Sequence, residues 1–252
     1  MTAAAGIALT AGVLFCLPPA AFQVLAGVVV LLTSVEIAIL YRPGINLLLV
    51  LLTPPLTAVW ACLLAFHANP LWILSLGFFL PGLAALARPQ PLVGGSRRLF
   101  YMMAVPFLIG FPGGALLSLR TLPNPQEGLK LLIFLLAVVW VSDSVAYYVG
   151  RNFGRHKISP AVSPNKTVEG TAALLAASAA VTIAFFGWSA GNLLAGFGLG
   201  LACFFGDLIQ SLAKRDLGVK DSGTFFPGHG GFWDRTDSLL WAALAVHLWK
   251  SQ

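Results

Sequence analysis

Apolar runs of about 20 residues recur along this 252-residue chain, and about 20 helical residues cross the hydrocarbon core of a bilayer. That recurrence predicts an all-α fold, a polytopic transmembrane helical bundle of about nine spans. The runs place them at 4–17, 20–41, 45–66, 70–87, 99–119, 129–150, 170–188, 190–214 and 237–250. Only 10% of residues are charged, against about 25% in soluble domains, so the soluble globular class is excluded. The apolar start lacks a basic leader and a small-residue cleavage site, and reads as a first span kept in the mature protein. Pro54, Pro55, Pro81, Pro106 and Pro112 fall inside runs, where proline is tolerated and marks a kink. No repeat, linker or second domain is visible. The chain reads as a single integral-membrane domain over 1–252, with scaffold spans in 1–128 and the active site in 129–252. Cys16, Cys62 and Cys203 sit in apolar runs without metal-ligand spacing and read as small buried residues.

A net charge of +6 in a soluble protein would raise nucleic acid as a partner. Here the basic residues lie in short loops, where they report orientation instead. With nine alternating spans, twelve of the 15 cations share one side: Arg42, Arg88, Arg97, Arg98, Arg151, Arg155, Lys157, Lys166, Lys214, Arg215, Lys220 and Arg235. Arg120, Lys130 and Lys250 face the other way. The positive-inside rule makes the richer side, and the N-terminus with it, cytoplasmic.

The acids concentrate late in the chain. Only Glu36 and Glu127 precede residue 140, while Asp143, Glu169, Asp207, Asp216, Asp221, Asp234 and Asp237 follow it. A charge at mid-bilayer costs about 2.5–3.5 kcal/mol on insertion scales, so such acids should face a polar cavity, a cation or a metal.

Three constellations carry these charges. In Ser142–Arg151, helical spacing sets Asp143, Tyr147 and Gly150 on one face, suited either to a nucleotide pocket or to pairing with a neighbouring cation. In the second, Ser163 and Pro164 suit the N-cap and first position of the seventh helix. Free amides there, with Lys166 and Thr167, suit either a plain helix cap beside a solvated lysine or a phosphate cradle, and Arg151, Arg155, His156 and Lys157 upstream tilt the reading toward anion binding. The glycine pattern and preceding strand of a P-loop are missing. The third runs from Ser211 to Asp237. Asp207 and Ser211 share a helix face that Lys214 extends, and Asp234 and Asp237 share another. Carboxylates meeting from two helices suit a hard cation such as magnesium. His229, in a glycine-rich turn, reads equally as a ligand, a base or a hydrogen-bond donor to phosphate. Zinc is disfavoured, since no second His or Cys stands at ligand spacing.

Together these residues resemble the phosphatidate cytidylyltransferase (CDP-diacylglycerol synthase) family. The resemblance rests on Ser211, Lys214-Arg215, Lys220-Asp221, His229-Gly230-Gly231 and Asp234-Arg235-Thr236-Asp237. It extends upstream to Ser142-Asp143, Ala146-Tyr147, Gly150, Ser163-Pro164-Asn165-Lys166-Thr167 and Glu169-Gly170. Ala213 replaces a usual larger aliphatic, and Gln210 stands where a glutamate is common. The resemblance implies cytidylyl transfer from CTP to phosphatidate, giving CDP-diacylglycerol and pyrophosphate in phospholipid biosynthesis. It implies magnesium, with a monovalent cation such as K+, on Asp207, Asp234 and Asp237, with Asp221 as a supporting acid. Ser163, Lys166 and Thr167 would meet the triphosphate, and Lys214, Arg215, Lys220 and Arg235 either substrate's phosphates. Asp143, Tyr147, Glu169, Ser211 and His229 would complete substrate binding. The resemblance further suggests a homodimer in a bacterial inner membrane with its active site on the cytoplasmic side. The competing readings are a related CTP-using lipid enzyme, either an ether-lipid cytidylyltransferase or a polyprenol-type kinase, and an ion-coupled transporter built on Glu36, Asp143 and Asp207. Transporters often carry inverted repeats, and none is visible here.

Overall fold

The computed structural model describes residues 12, 18–41, 47–65, 101, 103–120, 124–225 and 230–250. The runs expected at 4–17 and 70–87 lie outside them apart from Gly12, as do Cys16, Arg42, Pro81, Arg88, Arg97, Arg98 and His229. The described helices are α1 (Pro19–Tyr41), α2 (Leu47–Ala65), α3 (Phe111–Ser118), α4 (Pro125–Phe153), α5 (Val168–Phe186), α6 (Ala190–Asp216) and α7 (Trp233–Lys250). Four of them, α1, α4, α5 and α6, are long and apolar enough to cross a membrane.

Contacts divide the chain into two compact units. One comprises Met1–Val35 and Gly44–Leu132; the other comprises Glu36–Pro43 and Ile133–Gln252. In the first, Pro54 and Pro55 sit within α2, and Pro106 opens a π-helical turn, Pro106–Gly110, ahead of α3. Glycine lets these helices touch. A Cβ at Gly110 would lie 2.9 Å from Thr57 O, and one at Gly114 2.7 Å from Ala61 O, so the pair follows the small-residue spacing of membrane helix contacts. Cys62 is exposed on α2 instead of buried, whereas Cys203 is buried as expected.

The second unit carries the polar motifs. Ser178 Oγ donates to Gly196 O at 2.8 Å across α5 and α6, where a Cβ at Gly196 would meet Ala179 Cα at 2.5 Å. Gly206 likewise gives α6 room against Trp241 and Asp237 O of α7. Phe134, Phe185, Phe186 and Trp249 cluster at the ends of α4, α5 and α7 away from the polar motifs. This packing holds one end of the unit and leaves the other to chemistry.

One expectation is corrected here. The seventh helix does not begin at Ser163; a short hairpin precedes it in a fold that, among the described residues, is all-α apart from that ribbon. Lys157–Ser159 (β1) and Ser163–Thr167 (β2) form a two-stranded antiparallel hairpin, with Lys157 opposite Thr167 and Ser159 opposite Ser163. Strand pairing takes precedence over the local capping signal of Ser163-Pro164, and a two-stranded ribbon offers the edge position that proline tolerates. The helix starts at Val168, and Thr167 is its N-cap, accepting from Gly170 N at 3.1 Å.

Candidate active site

A cavity of about 710 Å³ opens between the C-terminal part of α4, the hairpin, the start of α5 and the second half of α6. Asp143, Ala146, Tyr147, Gly150 and Arg151 line it from α4, one face as the helical spacing predicts. The hairpin contributes Lys157, Ser163, Asn165, Lys166 and Thr167, and α6 contributes Phe204 and Asp207. The walls meet closely at Thr167. A Cβ at Gly154 would come within 2.6 Å of the Thr167 methyl, and one at Gly170 within 2.9 Å of Ala146 O.

The cavity is electrostatically mixed. Lys166 Nζ pairs with Asp207 Oδ2 at 2.8 Å and stands 4.9 Å from the Phe204 ring centre. Asp207 Oδ1 accepts from the Ser211 hydroxyl at 3.2 Å, so these two share a face as expected. Arg151 donates to the Tyr147 hydroxyl at 3.0 Å. Arg151, Lys157 and Lys166 thus present three cations to a space bounded by Asp143 and Asp207. Such a space accepts a polyanion, provided a further cation or a proton offsets the acids.

The remaining expected residues divide by role. Lys214 does not extend the Asp207 face into the cavity; its Nζ lies 2.6 Å from Asp234 Oδ1, with side chains only 12% and 6% exposed. Asp234 also accepts from Ser222 N at 2.7 Å, Gly231 N at 3.0 Å and Gln210 Nε2 at 3.4 Å. Asp234 precedes the apolar part of α7. Burial opposes its charged form, but the Gly231 amide, the Lys214 ammonium and Ser222 outweigh burial and hold its pKa below the ordinary carboxylate value. Asp237 accepts from Ser238 N at 2.7 Å, and its charge interacts with those of Asp207 and Asp143. Asp234 and Asp237 therefore serve different neighbours despite their spacing.

Arg215 ties the end of α6 to the hairpin, donating to Val162 O at 3.3 Å and Val219 O at 3.1 Å. Glu169 is absent from the cavity lining. It accepts from Arg155 N at 3.1 Å and sits 2.7 Å from His156 Nδ1, fixing the turn that leads into β1. Lys220, Asp221 and Arg235 are exposed.

The donors suit a hard cation by chemistry, since Asp143, Asp207 and Asp237 offer only oxygen. Asp234 is engaged by Lys214 at Oδ1 and by Ser222 and Gly231 at Oδ2. Among the described residues, no three His, Cys, Asp or Glu side chains converge as a ready-made metal group.

Sequence reasoning did not single out Ser222, noted Gln210 only as a departure from the family pattern, and weighed Glu36 as a site residue only in the transporter reading. Ser222 carries no chemical signal of its own. Glu36 did carry one, as the sole charged residue of the 23-residue helix α1, and intramembrane acids are functional candidates by default. Its carboxylate accepts from Ser222 Oγ at 2.7 Å, Phe232 N at 3.2 Å and Trp233 N at 2.8 Å.

Helices long and apolar enough to cross a membrane, with a cavity at one end lined by both cations and acids, make this an integral membrane protein. The chain belongs to the cytidylyltransferase family, whose model matches residues 1–251. It is 35% identical over 199 residues to the uncharacterized protein YnbB of Escherichia coli, covering 72% of this chain and 64% of that one. It is 42% identical over 121 residues to a phosphatidate cytidylyltransferase of Staphylococcus aureus, covering 46% of each chain. A phosphatidate cytidylyltransferase of Brucella melitensis is 38% identical over 183 residues, covering 70% of this chain and 65% of that protein. The matched region therefore spans between about half and two thirds of these relatives' lengths.

Proposed function

We propose that this protein is a nucleotidyltransferase that moves the cytidylyl group of CTP onto phosphatidate, releasing pyrophosphate and forming CDP-diacylglycerol. The observation that carries the reading is the cavity where Arg151, Lys157 and Lys166 face Asp143 and Asp207 at the ends of apolar helices. Membership of the cytidylyltransferase family and the names of its relatives supply the nucleotide and the lipid.

The chemistry needs charge management more than a strong base. A phosphatidate oxygen attacks the α-phosphorus of CTP; a P–O bond forms to the lipid phosphate as the bond to the β-phosphate oxygen breaks. Both substrates are polyanions, and their repulsion is the obstacle. Lys166, poised on Asp207, transfers its pairing to the triphosphate, while Arg151 and Lys157 hold the remaining phosphate charge. Thr167 fixes the hairpin against α5 so that these cations keep their places. Asp207 and Asp237, with Asp143 on the cavity wall, would hold magnesium, and a monovalent cation such as K+ would complete the neutralisation. Magnesium when bound neutralises phosphate charge and orients the reacting groups.

The same reading takes the span count as about nine, the orientation as N-terminus and cavity on the cytoplasmic side of a bacterial inner membrane, and the assembly as a homodimer. The test incubates purified protein in detergent with labelled CTP, phosphatidate and magnesium. Labelled lipid and pyrophosphate are expected. Folded protein that yields no labelled lipid refutes the proposal, and CDP appearing with a newly phosphorylated lipid assigns a kinase instead.

A further inference from the structure

The geometry points to Glu36 as a positioning residue for the acids of α7, acting as a helix cap delivered from a distant part of the chain. The first N–H groups of a helix have no acceptor within it. At α7 two of these neighbouring donors, Phe232 N and Trp233 N, go to Oε1 and Oε2 of Glu36, 196 and 197 residues away in sequence. Room for the carboxylate comes from two glycines. A Cβ at Gly223 or at Gly231 would collide with Glu36 Oε1.

Ser222 joins this cap to Asp234. Its hydroxyl lies 2.7 Å from Glu36 Oε2 and 2.9 Å from Asp234 Oδ2, and its single proton serves one of them at a time. Its N–H donates to Asp234 throughout. Glu36 thereby fixes the start of α7 by its first residue and the preceding loop by Ser222. Asp234 follows Trp233 directly, and Asp237 lies one turn further on, where Gly206 of α6, the residue before Asp207, packs against its backbone carbonyl. Among the described residues, the hydrogen-bond partners of Glu36 are Ser222, Phe232 and Trp233, none of which lines the cavity, so its influence reaches the reaction through the pose of α7. The inference rests on the proposed reaction for its kinetic consequence, and on geometry alone for the cap.

The experiment compares wild type with Glu36→Ala by hydrogen exchange and by CDP-lipid formation. Exchange of the Phe232 and Trp233 amides is expected to quicken about 10- to 100-fold, the value of a hydrogen bond to a charged group, while Leu240–Val246 stay as protected as before. The kcat is expected to fall about 10- to 100-fold through misplacement of Asp237, with KM for CTP held within about twofold. Unchanged amide exchange overturns the cap, and a KM that rises as far as kcat falls overturns the positioning role. A second variant guards against misfolding: Gly231→Ala alone should be severely impaired by collision with Glu36, yet add nothing on top of Glu36→Ala. Independent, multiplicative losses in that pair overturn the contact. If wild type makes no CDP-lipid, the reaction fails alone, and the exchange measurement still decides the cap.

Discussion

Replacing Lys214 with methionine tests the ion pair that joins α6 to the start of α7. The ammonium lies 2.6 Å from Asp234, the two side chains are 12% and 6% exposed, and removing one partner of a buried pair costs about 3–5 kcal/mol. Asp234 keeps the Ser222 and Gly231 amides and the Gln210 amide group, so the lower end applies, about 3 kcal/mol. Because 1.4 kcal/mol is tenfold, that is roughly a 100-fold shift toward the opened loop. The assay is amide exchange at Ser222 and Gly231 in detergent, supported by thermal inactivation half-life. The double variant Lys214→Met/Asp234→Asn, which removes both charges, should recover at least half of the loss. The pH response has a definite sign. A carboxylate whose folded pKa is depressed stabilises fully above its ordinary value of 3.8 and loses that contribution as pH falls through the lower, folded value. Lys214→Met should move that loss to higher pH. A single variant as stable as wild type, or a double variant whose losses simply add, refutes the pairing.

Two further outcomes are expected. Lys166→Ala should lower kcat/KM for CTP about 10- to 100-fold, mainly through KM, as loss of a charge-assisted contact to phosphate predicts; steady-state kinetics at varied CTP check it. Gly154→Ala should destabilise strongly, because its Cβ would meet the Thr167 methyl at 2.6 Å, whereas Gly198→Ala, with open space around it, should be neutral in thermal inactivation assays.

What the sequence reveals here follows the range of the interactions involved. Helical periodicity is local, so the common face of Asp143, Tyr147 and Gly150 and the Asp207–Ser211 pair can be read without a structure. The long apolar runs reveal α1, α4, α5 and α6 for the same reason. Ser163-Pro164 carries the local signature of a helix start, yet the chain there pairs with Lys157–Ser159, and pairing between strands leaves no mark at Ser163 itself. Thr167, also able to cap, takes the position. Spacing likewise sets Lys214 on the Asp207 face, but its long side chain reaches Asp234 across the helix junction. Glu36 was legible as an acid that needs a partner and illegible as to which one, because its donors lie 186 to 197 residues away.

That separation has a consequence in time. Synthesis proceeds at about 5–20 residues per second, so Glu36 emerges roughly 10–40 s before Ser222, Phe232 and Trp233 exist. Through that interval α1 holds a carboxylate with none of these three donors to receive it. The cap on α7 therefore closes late, when a helix made early receives donors made roughly 10–40 s afterwards.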